Sequence, residues 1–207
     1  MLNFDEAKIR QEHQNGVDII PQVEKIVDQV CEEGYSGIFY IGIGGTALYA
    51  NQMIHIAKQL GSRLPLYIEN AADFNLVGNP FFDERSIVVI ESISGDTKEI
   101  VEAVDKAHSL GAKVVGYVEK AGTPLFEKCD YLVSTVGGGY YFWYTVTLRF
   151  LKNAGQFEKY GQFFAEIAHM PDHVVQIYKD ADADARAYAE QYCDEPITYL
   201  VGAGNLE

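Results

Sequence analysis

The chain has 207 residues, 48% of them hydrophobic and 22% charged, which is the make-up of an ordinary globular protein with one sizeable core and something left over. A net charge of −14 argues against a nucleic-acid partner, because gripping a phosphate backbone takes a basic face, and it requires any small-anion site to be built locally from amides and hydroxyls. No segment approaches membrane-spanning length and the first residues lack a basic, then apolar leader, so a cytoplasmic location is expected.

Residues 1–34 read as one or two acidic amphipathic helices, with Ile19, Ile20, Val23, Ile26, Val27 and Val30 at helical spacing. The segment is too short and too acidic for a DNA-binding head, and packing against the sheet or a neighbouring subunit is its expected role. From Tyr35 onward short apolar runs alternate with longer helical patterns. The runs are Ile38 to Ile43, Leu66 to Ile68, Ser86 to Glu91, Lys113 to Val118 and Tyr131 to Val133. Helices are expected from Thr46 to Leu60 and from Thr97 to Leu110, each closed by a glycine. Such alternation predicts an α/β fold: a five-stranded parallel sheet with helices on both faces, a flavodoxin-like doubly wound three-layer sandwich.

Gly139 to Asn153 carries Tyr140, Tyr141, Phe142, Trp143, Tyr144 and Phe150, too apolar all round for a surface helix, and is read as a core or oligomer-interface helix. Residues 35–154 thus form the first domain, and residues 155–193 a helical bridge interrupted near Met170-Pro171. Within residues 194–207, Ile197 to Asn205 repeats the strand and glycine turn of the first βα unit, as the start of a second, truncated domain or an added edge strand.

Two loops carry the chemistry. Gly42-Ile43-Gly44-Gly45-Thr46-Ala47 follows the first strand and fits a dinucleotide fingerprint if Ala47 replaces the last glycine, with Glu69 after the second strand. Ser92-Ile93-Ser94-Gly95-Asp96-Thr97-Lys98-Glu99 sits where the Ile87 to Ile90 strand gives way to a helix, so hydroxyls and free amides meet at a helix mouth. Asp96 is read as the N-cap there, with Glu99 completing a capping box. A dinucleotide explains the first loop but not the second; two loops converging on one small anion explain both. Glu91, just before the second loop, either faces the ligand or ends the strand.

These loops, with Thr123-Pro124-Leu125 echoing a Ser-Pro-Leu turn after the fourth strand, resemble those of the sugar isomerase (SIS) domain family over about Tyr35 to Asp180. The resemblance implies a sugar-phosphate ligand held by Gly44, Gly45, Thr46, Ser92, Ser94, Gly95 and Thr97. The long helical segment and the second Gly-x-Gly are similar to the bridge of the fructoselysine-6-phosphate deglycase group, which splits a phosphorylated Amadori adduct into an amine and a hexose phosphate. An aldose–ketose isomerase or amino-sugar-phosphate deaminase, and a non-catalytic sugar-phosphate sensor, are the alternatives. In that family the catalytic Glu and His lie in a second half absent from residues 1–207, so no catalytic residue is assigned, and binding without turnover is expected. A homodimer or larger homo-oligomer is expected, with no cofactor and no metal. Cys31, Cys129 and Cys193 lack ligand spacing and read as buried or free thiols, and His169 and His173, four apart, as a solvated or capping pair.

Overall fold

The computed structural model describes residues 4–197. Two helices come first, α1 (Glu6–Asp18) and α2 (Ile20–Glu33). Five βα repeats follow: β1 (Ile38–Gly42), α3 (Gly45–Gln59), β2 (Leu66–Asn70), α4 (Ala71–Leu76), β3 (Ile87–Ser92), α5 (Lys98–Ser109), β4 (Lys113–Val118), α6 (Pro124–Lys128), β5 (Tyr131–Val133) and α7 (Gly139–Asn153). Helices α8 (Tyr160–Ile167) and α9 (Met170–Tyr192) close the described chain. The strand and glycine turn read over Ile197 to Asn205 fall, from residue 198 on, outside the described residues.

All strands pair in parallel, in the order β2-β1-β3-β4-β5. Parallel strands buried on both faces must be apolar throughout, and β1 and β3 are wholly buried. Alternate side chains divide the core between the two faces. Tyr40, Val89, Val115 and Tyr117 meet α2, α3 and α7, whereas Phe39, Ile41, Val88 and Ile90 meet α4 and α5. The predicted three-layer doubly wound sheet is therefore the fold.

The amino-terminal helices belong to the first of these layers. Val23, Val27 and Val30 of α2 are fully buried, each worth up to about 1.5–3 kcal/mol relative to exposure. Arg149 ties α7 to α2, donating to both carboxylate oxygens of Asp28 at 2.8 and 2.6 Å and to Glu24 at 3.1 Å. Helix α7 has the ends read from its aromatic run, and Phe142, Trp143, Val146 and Leu151 are inaccessible to solvent. It is a core helix, with Tyr140 left half exposed.

Smaller departures have local causes. Helix α4 was not anticipated; Asn70 starts it by accepting from the Ala72 amide at 3.0 Å. Helix α5 begins one residue later than expected, with Thr97 rather than Asp96 at the N-cap, and no side chain caps its first turn. The capping box between Asp96 and Glu99 does not form. Gly95, at φ +71°, has already turned the chain, so that Thr97 is the last residue in extended geometry.

Candidate functional site

In a sheet of order 2-1-3-4-5, the chain leaves β1 and β3 toward opposite faces, and the loops after these neighbouring strands diverge to open a crevice. Both loops singled out in the sequence lie there.

The first loop depends on Gly42. A Cβ at this position would lie 2.7 Å from the Ala47 nitrogen and 2.8 Å from the Thr46 carbonyl carbon, so α3 can start this close to the strand only over a glycine. Gly44, at φ +59°, makes the turn and is the N-cap of α3, again with no side-chain cap. Thr46 closes the loop on itself: its Oγ1 accepts from the Ile43 amide at 3.1 Å and donates to the Ile43 carbonyl at 3.0 Å. Its proton is thereby committed within the loop, which leaves it an acceptor and a brace.

The second loop is folded about Ser92 and Gly95. Ser92 is buried, and its Oγ accepts from the Gly95 amide at 3.0 Å and stands 3.4 Å from Thr97 Oγ1. The Leu125 amide donates to the Gly95 carbonyl at 3.0 Å, and a Cβ on Gly95 would fall 2.0 Å from Thr123 Oγ1. The Thr123-Pro124-Leu125 turn is thus the buttress of this loop. Ser94 is exposed at the rim of the crevice and accepts a long 3.5 Å bond from the Asp96 amide.

Between the loops lies a cavity of about 340 Å³, walled by Gly45, Thr46 and Tyr49 on one side and by Glu91, Ser92, Ser94 and Thr97 on the other. The structure thus brings Gly45, Thr46, Ser92, Ser94 and Thr97 together as expected, while Gly44 and Gly95 shape the loops rather than the wall. Among the described residues no lysine or arginine lines the cavity. What it offers an anion is hydroxyls and the first-turn amides of two helices whose N-termini carry no side-chain cap. A second cavity, about 400 Å³ between α1, α7 and α8, is walled mainly by aromatic and aliphatic side chains, Tyr140, Tyr141, Tyr144, Phe163 and Phe164 among them, and neither of the two glycine- and serine-bearing loops reaches it.

Glu91 is resolved toward the ligand side. It shares the face of β3 that carries Val89, is only 1% exposed, and lies in the cavity wall. The Trp143 indole N–H donates to its Oε2. Burial pushes the carboxyl up to about 7; the indole bond opposes that shift and the negative charge of Glu119 adds to it. The glycines 137–139 that lead into α7 are held from the strand side. Glu119 Oε1 accepts from the Gly137 amide at 2.9 Å, and the Tyr117 hydroxyl accepts from the Gly138 amide at 2.8 Å while donating to the Thr135 carbonyl at 2.6 Å. A Cβ on Gly139 would lie 2.2 Å from Glu91 Oε1, so glycine there makes room for the carboxyl.

The remaining candidates lie elsewhere. Glu69, the would-be ribose ligand of a dinucleotide, accepts a hydrogen bond from Asn79. The His169 and His173 rings are 6.1 Å apart at the start of α9, and among the described residues no three His, Cys, Asp or Glu side chains are grouped to hold a metal. Cys129 is packed under Gly116, with its thiol pushed up to about 12 by burial; Cys31 is half-buried and Cys193 exposed. Among the described residues no helix is long and apolar enough to cross a membrane.

A crevice at the switch point of a 2-1-3-4-5 sheet, lined by two hydroxyl-bearing βα loops, defines a doubly wound α/β ligand-binding domain. The chain belongs to the SIS domain family, whose model matches residues 36–151. It is 31% identical over 137 residues to the glutamine–fructose-6-phosphate aminotransferase (isomerizing) of Corynebacterium efficiens, covering 66% of this chain and 19% of that protein. It is 20% identical over 193 residues to the fructoselysine 6-phosphate deglycase of Escherichia coli K12, covering 90% of this chain and 56% of that one. The fold superposes on a Bacillus subtilis protein assigned as a phosphosugar isomerase with a TM-score of 0.80 at 18% identity, over 89% of this chain and 59% of that one. The C-terminal domain of the Francisella tularensis glucosamine-fructose-6-phosphate aminotransferase gives 0.68 at 16% identity, over 97% and 62%. The chain therefore spans little more than half of the deglycase and a fifth of the Corynebacterium enzyme.

Proposed function

We propose that this chain is a hexose-6-phosphate-binding SIS domain, and that its parent activity is the deglycation of an amine-linked ketose 6-phosphate. The observation that carries the binding reading is the convergence of Ser92, Ser94 and Thr97 with two uncapped helix mouths on one cavity. A phosphate monoester needs several donors arranged around three oxygens, and amides with hydroxyls supply them without a cation, as a chain of net charge −14 requires. The deglycase reading is supported by the sequence similarity to the Escherichia coli deglycase, which covers 90% of this chain, against 66% for the sequence match to the Corynebacterium efficiens aminotransferase.

In such a complex the phosphate caps α5, with Ser92 and Thr97 donating to its oxygens, and Thr46 holds the facing loop in shape. Replacing Thr97 by alanine removes one hydrogen bond to a charged group, about 1.5–3 kcal/mol, or roughly tenfold or more in affinity. Calorimetry with fructose 6-phosphate measures this, with fructose itself binding far more weakly; an unchanged affinity in Thr97→Ala removes that residue from the site. The cavity is also expected to discriminate against dinucleotides. NAD and NADP should leave the melting temperature unchanged at concentrations where fructose 6-phosphate raises it. Saturable stabilisation by either dinucleotide would overturn the reading.

A further inference from the structure

Glu91 is the feature of the cavity that a phosphate does not explain. A carboxylate in the wall of a dianion site repels the ligand, and burying it is unfavourable unless a cation or several donors compensate. One donor does so, the Trp143 indole on Oε2; among the described residues no hydrogen bond reaches Oε1. The polar groups that face Glu91 are Trp143 from α7, Tyr49 from α3, Tyr117 from β4 and Glu119 just beyond it. None of these carries a positive charge, and one is itself an acid. The carboxyl thus has an open oxygen, a glycine at 139 that makes room for it, and no counter-charge among the described residues.

We propose that Glu91 is the amine-recognising residue of this cavity, its open carboxylate oxygen receiving the ammonium or protonated secondary amine of a sugar whose phosphate the two hydroxyl loops hold. The inference rests on the phosphosugar reading and narrows it to nitrogen-bearing hexose 6-phosphates, selected over the corresponding hydroxy compounds. One ligand then meets both halves of the site: its phosphate takes the amides and hydroxyls at the helix mouths, and its cation takes the acid that would otherwise be unpaired. A phosphate alone would gain only the first.

The matched probes are 1-amino-1-deoxyfructose 6-phosphate and fructose 6-phosphate, which differ in an ammonium against a hydroxyl on C1. Their dissociation constants are measured by calorimetry at pH 8 and pH 6 for the wild-type chain and for Glu91→Gln, which keeps an acceptor for Trp143. The wild type should prefer the amine about tenfold or more at pH 8, and Glu91→Gln should bring the ratio to within about threefold of unity. In the wild type the ratio should fall about fivefold or more at pH 6, where Glu91 takes up a proton while the ligand amine stays charged. Attraction from the general negative field of the protein would not fall in this way. A role confined to anchoring Trp143 and the 137–139 loop would change both affinities together and leave the ratio alone. A ratio near one in the wild type, or the same ratio in Glu91→Gln, overturns the inference while fructose 6-phosphate binding leaves the phosphosugar reading in place; if neither probe binds, both fall. Should the variant not fold, the wild-type pH series decides, and a constant ratio overturns the proposal.

Discussion

Glu91→Gln is expected to be more stable than the wild type by about 3 kcal/mol at pH 8 and by less than about 1 kcal/mol at pH 5. The sign follows from the direction of the shift. The carboxyl lies near 7 in the folded protein against an ordinary 4.5, so the folded chain holds the proton more tightly than the unfolded chain does. Below about 4.5 both states are protonated and the residue has no ionisation penalty. As pH rises toward 7 the unfolded chain gains the freedom to ionise while the folded one resists it, and the full cost is reached above 7. Glutamine never ionises and can still accept from the Trp143 indole, so the difference between the two proteins traces the penalty itself. Urea denaturation across pH 5–8 measures it, and parallel stability curves would show that Glu91 ionises as freely folded as unfolded. A residue that weakens the fold at neutral pH and above is what a binding site, rather than a packing requirement, leaves behind.

The sheet was legible because its strands are short, nearly unbroken apolar runs, and α7 because its six aromatic residues leave no polar face. The hydroxyls of Ser92 and Thr97 were legible because their place, at a strand end before a helical pattern, fixes where they point. The helix start was not. Asp96 and Thr97 are both good N-caps by type, and the choice between them is made by Gly95 being pressed at φ +71° against Thr123, a contact between segments far apart in sequence. Glu91 shows the same limit. Period-two alternation from Val89 puts it on one face of β3, but which helix covers that face, and that an indole N–H waits there, depends on how α7 packs. The resemblance gives the Thr46 hydroxyl to the ligand; that it also closes on the Ile43 carbonyl depends on the turn at Gly44, which the sequence pattern does not specify.

The glycine loop after β1 separates into positions with different duties, and this gives the second large effect. Gly42→Ala is expected to destabilise the protein by about 1–3 kcal/mol and to weaken phosphosugar binding in step. The added methyl would stand 2.7 to 2.9 Å from three backbone atoms of Thr46 and Ala47. Backbone cannot swing aside as a side chain does, so the first turn of α3 must withdraw from the strand, carrying with it the Thr46 brace and the amides that face the cavity. Gly45→Ala is the control. Nothing lies within 4 Å of a Cβ at that position and the residue is already helical, so its stability should stay within about 0.5 kcal/mol of the wild type or rise slightly. Urea denaturation of the two variants distinguishes a glycine required by packing from one whose Cβ would meet open space at the helix start. Equal stabilities would mean that α3 does not hold its first turn against β1, and that the crevice is set by something other than Gly42.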